Sequence, residues 1–253
     1  MTPVFSRNAD WRRTRESPAW SNVSIGFVPT MGALHAGHVE LLRRARAEND
    51  RVVLSVFVNP TQFNDPRDLA QYPRTLDADL ALARPWIDAV LAPSPAEMYP
   101  DNYRYRVTET DLSRRWEGAH RPGHFDGVLT VVLKLLNLVQ PHRAYFGEKD
   151  HQQLQLVRGM VDTLFLPVTI VACPTVRDPD GLALSSRNRR LSASARTAAA
   201  VFPQILRTAP TAAAAETALV SQGLDVDYVE DVNGARIAAV RLEGVRLIDN
   251  VRL

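Results

Sequence analysis

Two histidines, a lysine–aspartate pair and a serine-serine-arginine triplet are the side chains here whose types and spacing point to chemistry. His35 and His38 stand three residues apart in Pro29-Thr30-Met31-Gly32-Ala33-Leu34-His35-Ala36-Gly37-His38. An apolar run from Val23 to Val28 precedes them and stops at Pro29. A segment with Val39, Leu42 and Ala45 at helical spacing follows, so the local order is strand, tight loop, helix. A helix start leaves backbone N–H groups unpaired and concentrates partial positive charge, which suits phosphate. Two imidazoles at this spacing can face one side of the turn and each donate to a phosphate oxygen. Spacing alone leaves three readings open: a phosphate site, two solvated side chains, or half of a zinc site. A structural zinc site wants four ligands, usually with cysteine, and the only cysteine, Cys173, lies in a distant apolar run. Gly147-Glu148-Lys149-Asp150 repeats the strand, loop, helix pattern, although Lys149 alone also fits a solvated lysine at a helix start. By composition Ser185-Ser186-Arg187 is a polar loop. No GxGxxG or Walker lysine motif is present, so neither a dinucleotide loop nor a kinase-type phosphate loop is predicted.

Alternating strands and helices must position these groups. Arg51 to Val58 is apolar on consecutive positions, as in a strand buried on both faces, and Asn59-Pro60 ends it. A long polar loop, Thr61 to Pro73, precedes a helix over Leu76 to Arg84 and a short strand at Ala89 to Ala92. Tyr103 to Val107 reads as an edge strand. The helix predicted over Phe125 to Val139 is apolar on nearly every face, so something besides the sheet must cover it, and a second protomer is one candidate. A strand at Arg143 to Phe146, a helix through Leu164 and a buried strand at Pro167 to Ala172 complete an α/β, Rossmann-like, mostly parallel open sheet. Ligands of such sheets lie beyond the carboxyl ends of the strands. The turn Arg177-Asp178-Pro179-Asp180-Gly181 places the domain boundary, giving residues 1–175 as the Rossmann-like domain with the nucleotide site and 176–253 as a small C-terminal α+β cap. Its predicted parts are Ala-rich helices at Ser192 to Leu206 and Thr211 to Gln222, then strands at Val226 to Val232, Arg236 to Leu242 and Val245 to Val251. So few residues bury little core alone, so this part is expected to lean on the larger one. Met1 to Asn22 lacks an apolar period and reads as a partly ordered lead-in.

The 253 residues carry a formal charge of only +2 with both signs interspersed, which gives nucleic acid or an anionic membrane little to bind. Small-molecule partners are expected. A single cysteine allows no internal disulfide, and neither a signal-peptide pattern nor an apolar span of roughly 20 residues appears, so a cytoplasmic location is expected.

The opening block resembles the first motif of the pantoate-beta-alanine ligases, members of the HIGH-motif nucleotidyltransferase superfamily. Further blocks agree in order: Phe57-Val58-Asn59-Pro60-Thr61-Gln62-Phe63, Tyr72-Pro73-Arg74-Thr75, His124-Phe125-Asp126-Gly127-Val128-Leu129-Thr130-Val131-Val132, Phe146-Gly147-Glu148-Lys149-Asp150 and Leu184-Ser185-Ser186-Arg187-Asn188. The resemblance covers Ile25 to Leu191 well and both ends poorly. It implies an ATP-dependent condensation of pantoate with β-alanine through a pantoyl adenylate, giving pantothenate, AMP and pyrophosphate, with Mg²⁺ accompanying ATP and a homodimer as the assembly. It also implies roles. His35, His38, Lys149 and Arg187 would act on the phosphates, with His35 and His38 able to donate as imidazolium when phosphate raises the ordinary pKa of ~6.5. Met31, Gly147, Asp150, Val176, Leu184, Ser185 and Ser186 would complete the ATP site, Asp150 taking the ribose hydroxyls. Gln62 and Gln153 would hold pantoate, with Met31, Phe63 and Val132 as its apolar wall, although by pattern alone these three are plain core. Two departures stand out. Leu184 replaces a common Met, and Ala78 interrupts an acidic cluster associated with magnesium, leaving Asp77 and Asp79 as candidates for water-mediated contact to the ion. With the divergent ends, these keep open a paralogue coupling another acid or amine, or a nucleotide-binding module without turnover.

Overall fold

The computed structural model describes residues 2–253. Strands β1 (Val4–Phe5), β2 (Ile25–Thr30), β3 (Arg51–Val56), β4 (Ala89–Leu91), β5 (Arg143–Gly147) and β6 (Thr169–Cys173) form one sheet in the order β1-β4-β3-β2-β5-β6. The β1/β4, β4/β3, β3/β2 and β2/β5 pairings are parallel. Strands β7 (Asp225–Val232), β8 (Ala235–Leu242) and β9 (Val245–Arg252) form a separate antiparallel sheet. The expected class, a Rossmann-like parallel sheet with a smaller α+β part, is therefore the observed one.

The consecutive apolar runs have a simple cause, since successive strand residues point to opposite faces and both faces are covered. Phe27, Val53, Leu91 and Phe146 enter one core with Trp11, Val128 and Leu135, while Val28, Leu54, Val90 and Tyr145 enter another with Leu42, Ala45 and Ala83. The order of strands reverses at β2, which lies between β3 and β5. The loops that leave the carboxyl ends of β2 and β5 thus start from neighbouring strands, and these are the loops of His35 and Lys149. A reversal of this kind is where open α/β sheets take their ligands.

Several expectations are corrected. The lead-in is ordered: it contains β1 and helices Asn8–Arg15 and Pro18–Ser21, and Trp11 is fully buried, edge-on to Trp20 at 5.2 Å. Trp11 Nε1 donates to the Leu138 carbonyl at 2.9 Å, so the N-terminal helix covers part of helix His124–Val139. Twelve of that helix's sixteen residues are buried within the chain itself, and its all-round apolar surface does not require a second protomer. Tyr103 to Val107 forms no strand; the Val107 amide is tied instead to Thr130 Oγ1 at 2.9 Å. The Thr61 to Pro73 stretch holds a 3-10 turn, Pro60–Gln62, and a short helix, Pro66–Gln71. β6 is an edge strand, half-buried rather than buried. The helix expected from Ser192 is broken into Ala193–Ala198 and Val201–Thr208.

The chain clusters into two compact units. One comprises the residues up to Leu34 with His38–Phe146 and Gln152–Cys173, and the other His35–Gly37, Gly147–His151 and Pro174–Leu253. The second has its own core of Leu182, Phe202, Leu206, Leu219, Val240 and Leu247. Beside that core the buried Arg236 pairs with Asp231 and donates to the carbonyls of Leu206 and Ala209. Among the described residues no helix is long and apolar enough to cross a membrane.

Candidate active site

Gln62 is buried, and its amide is held at both ends. Asn59 Nδ2 donates to Gln62 Oε1 at 3.0 Å, and Gln62 Nε2 reaches the Met31 sulfur at 3.2 Å. Asn59 is itself saturated: it also donates to the Gly127 carbonyl at 3.1 Å and accepts from the Thr61 hydroxyl at 3.0 Å and the Tyr99 hydroxyl at 2.7 Å. The turn that carries Gln62 lies against helix His124–Val139, where only glycine fits. A Cβ on Gly127 would stand 2.5 Å from the Thr61 carbonyl oxygen and 2.7 Å from the Gln62 nitrogen. The Gln62 carbonyl meets His124 Nδ1 at 2.9 Å. The structure thus brings Gln62 and Met31 together. Val132 is buried in the helix core and Phe63 packs edge-on against Tyr72 at 5.7 Å. Gln153 is half-buried on helix His151–Thr163.

The loop after β2 is braced by Asp79. Its buried carboxylate accepts from the Ala33 amide at 3.1 Å and the Leu34 amide at 2.8 Å, while Thr75 Oγ1 reaches both of its oxygens. Gly32 has φ +81°, and a Cβ there would lie 2.9 Å from Asp79 Oδ2. Asp79 is therefore spent on the backbone of the histidine loop, while Asp77, the other candidate for water-mediated contact to magnesium, is exposed.

Downstream of that brace, His35 and His38 are half-buried, His38 in the first turn of helix Ala36–Glu48. The Gly37 amide donates to His35 Nδ1 at 3.1 Å, which leaves the ring proton on Nε2. Burial, then the positive charges of Lys149 and Arg189, push the His35 pKa down from 6.5 to about 4 against the opposing pull of Asp150. Without a phosphate beside it, the ring at pH 7 is a neutral Nε2–H donor. Lys149 Nζ lies 3.8 Å from the Asp150 carboxylate with its side chain 18% exposed, a contact beyond hydrogen-bond length.

The Ser-Ser-Arg segment leaves a small hairpin. The Leu184 amide donates to the Val176 carbonyl at 3.0 Å, Arg177 bridges to Ala183, and Gly181 turns the chain at φ +90°. Ser185 Oγ then accepts from the Arg187 amide at 3.2 Å and starts the 3-10 turn Ser186–Arg190. The Leu184 side chain lies in van der Waals range of a Cβ built on Gly37, so this hairpin sits beside the histidine loop.

The second unit therefore gathers His35, Lys149, Asp150, Leu184 and Arg189, while Gln62, Met31, His38 and Gln153 belong to the first. Sequence reasoning missed Asn59, Asp79 as a brace, and Arg189. Only Asn59, placed before Pro60 at a strand end, offered a signal. Among the described residues no cluster of three or more His, Cys, Asp or Glu can hold a metal ion. With Asp79 committed to backbone amides and Asp77 exposed, the described residues offer no ready-made carboxylate cage for magnesium.

Comparison with known proteins completes the picture. The pantoate-beta-alanine ligase family profile matches residues 3–252. Pantothenate synthetase of Bdellovibrio bacteriovorus is 55% identical, with all of both chains covered. That of Coxiella burnetii is 50% identical over 99% of this chain and 97% of its own. Among solved structures, pantothenate synthetase from Thermus thermophilus superposes with a TM-score of 0.90 at 45% identity over 99% of each chain. Pantoate-beta-alanine ligase from Francisella tularensis, complexed with beta-gamma ATP and beta-alanine, superposes at 0.94 and 39% identity over 100% of this chain and 98% of that one. Both ends, which looked divergent in the sequence, are thus within the matched length, and the chain belongs to the pantoate-beta-alanine ligase family.

Proposed function

We propose that this chain condenses pantoate with β-alanine in two steps driven by ATP. In the first, a pantoate carboxylate oxygen attacks the α-phosphorus of ATP and pyrophosphate leaves, forming pantoyl adenylate. In the second, the β-alanine amine attacks the acyl carbon, AMP leaves with the bonding pair of the broken C–O bond, and the amine loses a proton, giving pantothenate. Adenylation is needed because a free carboxylate is a poor electrophile in water.

The observation that supports the reading is that His35 lies within the field of two cations, Lys149 and Arg189, which add to burial in lowering its pKa to about 4. A triphosphate is a polyanion that such a pair of cations would attract. In this reading Lys149 and Arg187 neutralise phosphoryl charge as it builds, and His35 Nε2–H and His38 donate to the same oxygens. Asp150 accepts from the ribose hydroxyls, and Ser185 and Ser186, with Val176 and Leu184 behind them, flank the outer phosphates, while Gly147 leaves room for the nucleotide backbone. Gln62 and Gln153 orient pantoate, with Met31, Phe63 and Val132 as its wall, so catalysis is largely positioning. Mg²⁺ accompanies the triphosphate and keeps its waters, consistent with the lack, among the described residues, of a carboxylate cluster to cage it. A homodimer and the division into residues 1–175 and 176–253 are parts of the same proposal.

The test is to incubate the protein with ATP, Mg²⁺, pantoate and β-alanine and to follow AMP and pantothenate by mass. Equal amounts of both are expected. AMP formed only with another acid or amine would replace the substrate assignment, and ATP binding without pantoate-dependent pyrophosphate exchange would reduce the chain to a binding module.

A further inference from the structure

Three residues that take no part in the proposed chemistry connect the two phosphate-facing segments of the second unit. Asn250, on β9, donates both amide hydrogens to consecutive carbonyls of the Lys149 loop: to Glu148 O at 2.9 Å and to Lys149 O at 3.0 Å. Its neighbour Asp249 has a side chain only 1% exposed and accepts from Arg177 Nη1 at 2.6 Å and Nη2 at 2.9 Å in a two-pronged pair. The same Asp249 carboxylate accepts from the Asn250 amide at 2.7 Å, and Arg177 Nη2 also donates to the Asn250 carbonyl at 3.0 Å. Arg177 lies in the hairpin that runs into Leu184-Ser185-Ser186-Arg187, and its Nη1 closes that hairpin on the Gly181 carbonyl at 3.0 Å.

We infer that Asn250, fixed by the Arg177–Asp249 pair, is a positioning residue that sets the backbone from which Lys149 reaches the phosphates and locks it to the Ser-Ser-Arg hairpin. The physical case rests on where freedom is removed. A lysine ammonium rides on a flexible four-carbon stem, so its reach is set by where its backbone is held. The loop between β5 and the helix beginning at His151 is three residues long, and two of its three carbonyls take their hydrogen bonds from one side chain. The Asn250 backbone is held at its N–H by Asp249 and at its carbonyl by Arg177, so that side chain reaches the loop from a fixed point, and the same pair is the root of the hairpin. The last strand of the small sheet thereby determines the spacing of two groups that meet one triphosphate.

This inference rests on the phosphate role proposed for Lys149, and the two can fail separately. Pyrophosphate exchange reports the first step. Conversion of preformed pantoyl adenylate with β-alanine reports the second, in which the outer phosphates have already left. Asn250→Ala is expected to lower exchange on the order of 10- to 100-fold, as for a sub-ångström to ångström displacement of a catalytic group. Its reaction with preformed adenylate should stay within about twofold of the parent, since no outer phosphate remains to be held. Asn250→Asp, nearly the same shape but presenting oxygens to the two carbonyls, should lose at least as much exchange and serves if the alanine variant does not fold. Asp249→Asn should fall between these and the parent. Equal loss of both steps in folded Asn250→Asp would mark a general structural role and overturn the inference. So would parental exchange in Asn250→Ala beside a severe defect in Lys149→Ala. Parental exchange in Lys149→Ala itself would remove the phosphate role, and the inference with it.

Discussion

Around Gln62 both ends of the side-chain amide are engaged, and its partner Asn59 spends its own amide on Gln62, Gly127, Thr61 and Tyr99. Around Lys149 the order lies in the backbone instead: Asn250 grips the loop carbonyls, while the ammonium itself stands 3.8 Å from Asp150. The difference fits the roles proposed for the two regions. A small hydroxy acid is distinguished by a few directed hydrogen bonds, which need amides locked in advance. A triphosphate is recognised by charge, and a cation already locked in a short ion pair would have to break it before binding.

The sharpest test of this contrast is to remove the charge on the phosphate side. Lys149→Ala is expected to lower pyrophosphate exchange by about 10²- to 10³-fold, the usual loss for one donor aimed at transition-state charge. Because the cation supports little else, the unfolding midpoint should hardly move. A large loss of stability with exchange retained would mean that Lys149 is a structural residue and that the two regions are built alike.

On the acid side the equivalent blow is steric. Gly127→Ala places a Cβ 2.5 Å from the Thr61 carbonyl, and backbone on both sides must give. The expected result is a fall in kcat/KM for pantoate on the order of tenfold or more, with the KM for ATP nearly unchanged. If the KM for ATP rises as much as that for pantoate, Gln62 is not a dedicated acid contact.

These two positions also show what a sequence conceals. The alternation of apolar strands with helices was legible because both faces of the sheet are covered, which forces runs such as Val52-Val53-Leu54. The motif residues could be singled out because the resemblance implies roles for them. Trp11 was not, because a helix of eight residues with one fully buried side chain has no period to detect. Nor was the bracing role of Asp79, which shows only in its burial and its two backbone donors. Asn250 is invisible for the same reason, as its partners are carbonyls about a hundred residues away.

Asp79 lets the comparison be extended to the histidine loop, which is held at its backbone as the Lys149 loop is. Asp79→Asn keeps the shape but loses one acceptor oxygen, leaving a buried amide of Ala33 or Leu34 unmatched. A destabilisation of about 1–3 kcal/mol is expected in urea unfolding, with exchange reduced less than in Lys149→Ala. An unchanged midpoint would mean that the loop holds its shape without the brace.

The smallest effect expected is the change that Lys149 and ATP make in the titration of one residue, and it is the most specific. His35 titrates near 6.5 when unfolded and near 4 when folded, burial being the largest cause and Lys149 the next. Between those values the unfolded chain binds a proton that the folded chain refuses, so this residue's contribution to stability is complete above about pH 6.5, declines as the pH falls, and levels off near pH 4. The stability difference between the parent and His35→Gln should therefore slope between pH 4 and 6.5 and be flat above it. In a Lys149→Ala background the window should narrow from its acid side, since one of the charges opposing protonation is gone. Added ATP should narrow it further if the triphosphate enters this field, because a polyanion beside the ring favours the charged form. A slope that ignores both Lys149 and ATP would show burial acting alone, and the phosphate-side field would no longer distinguish one region from the other.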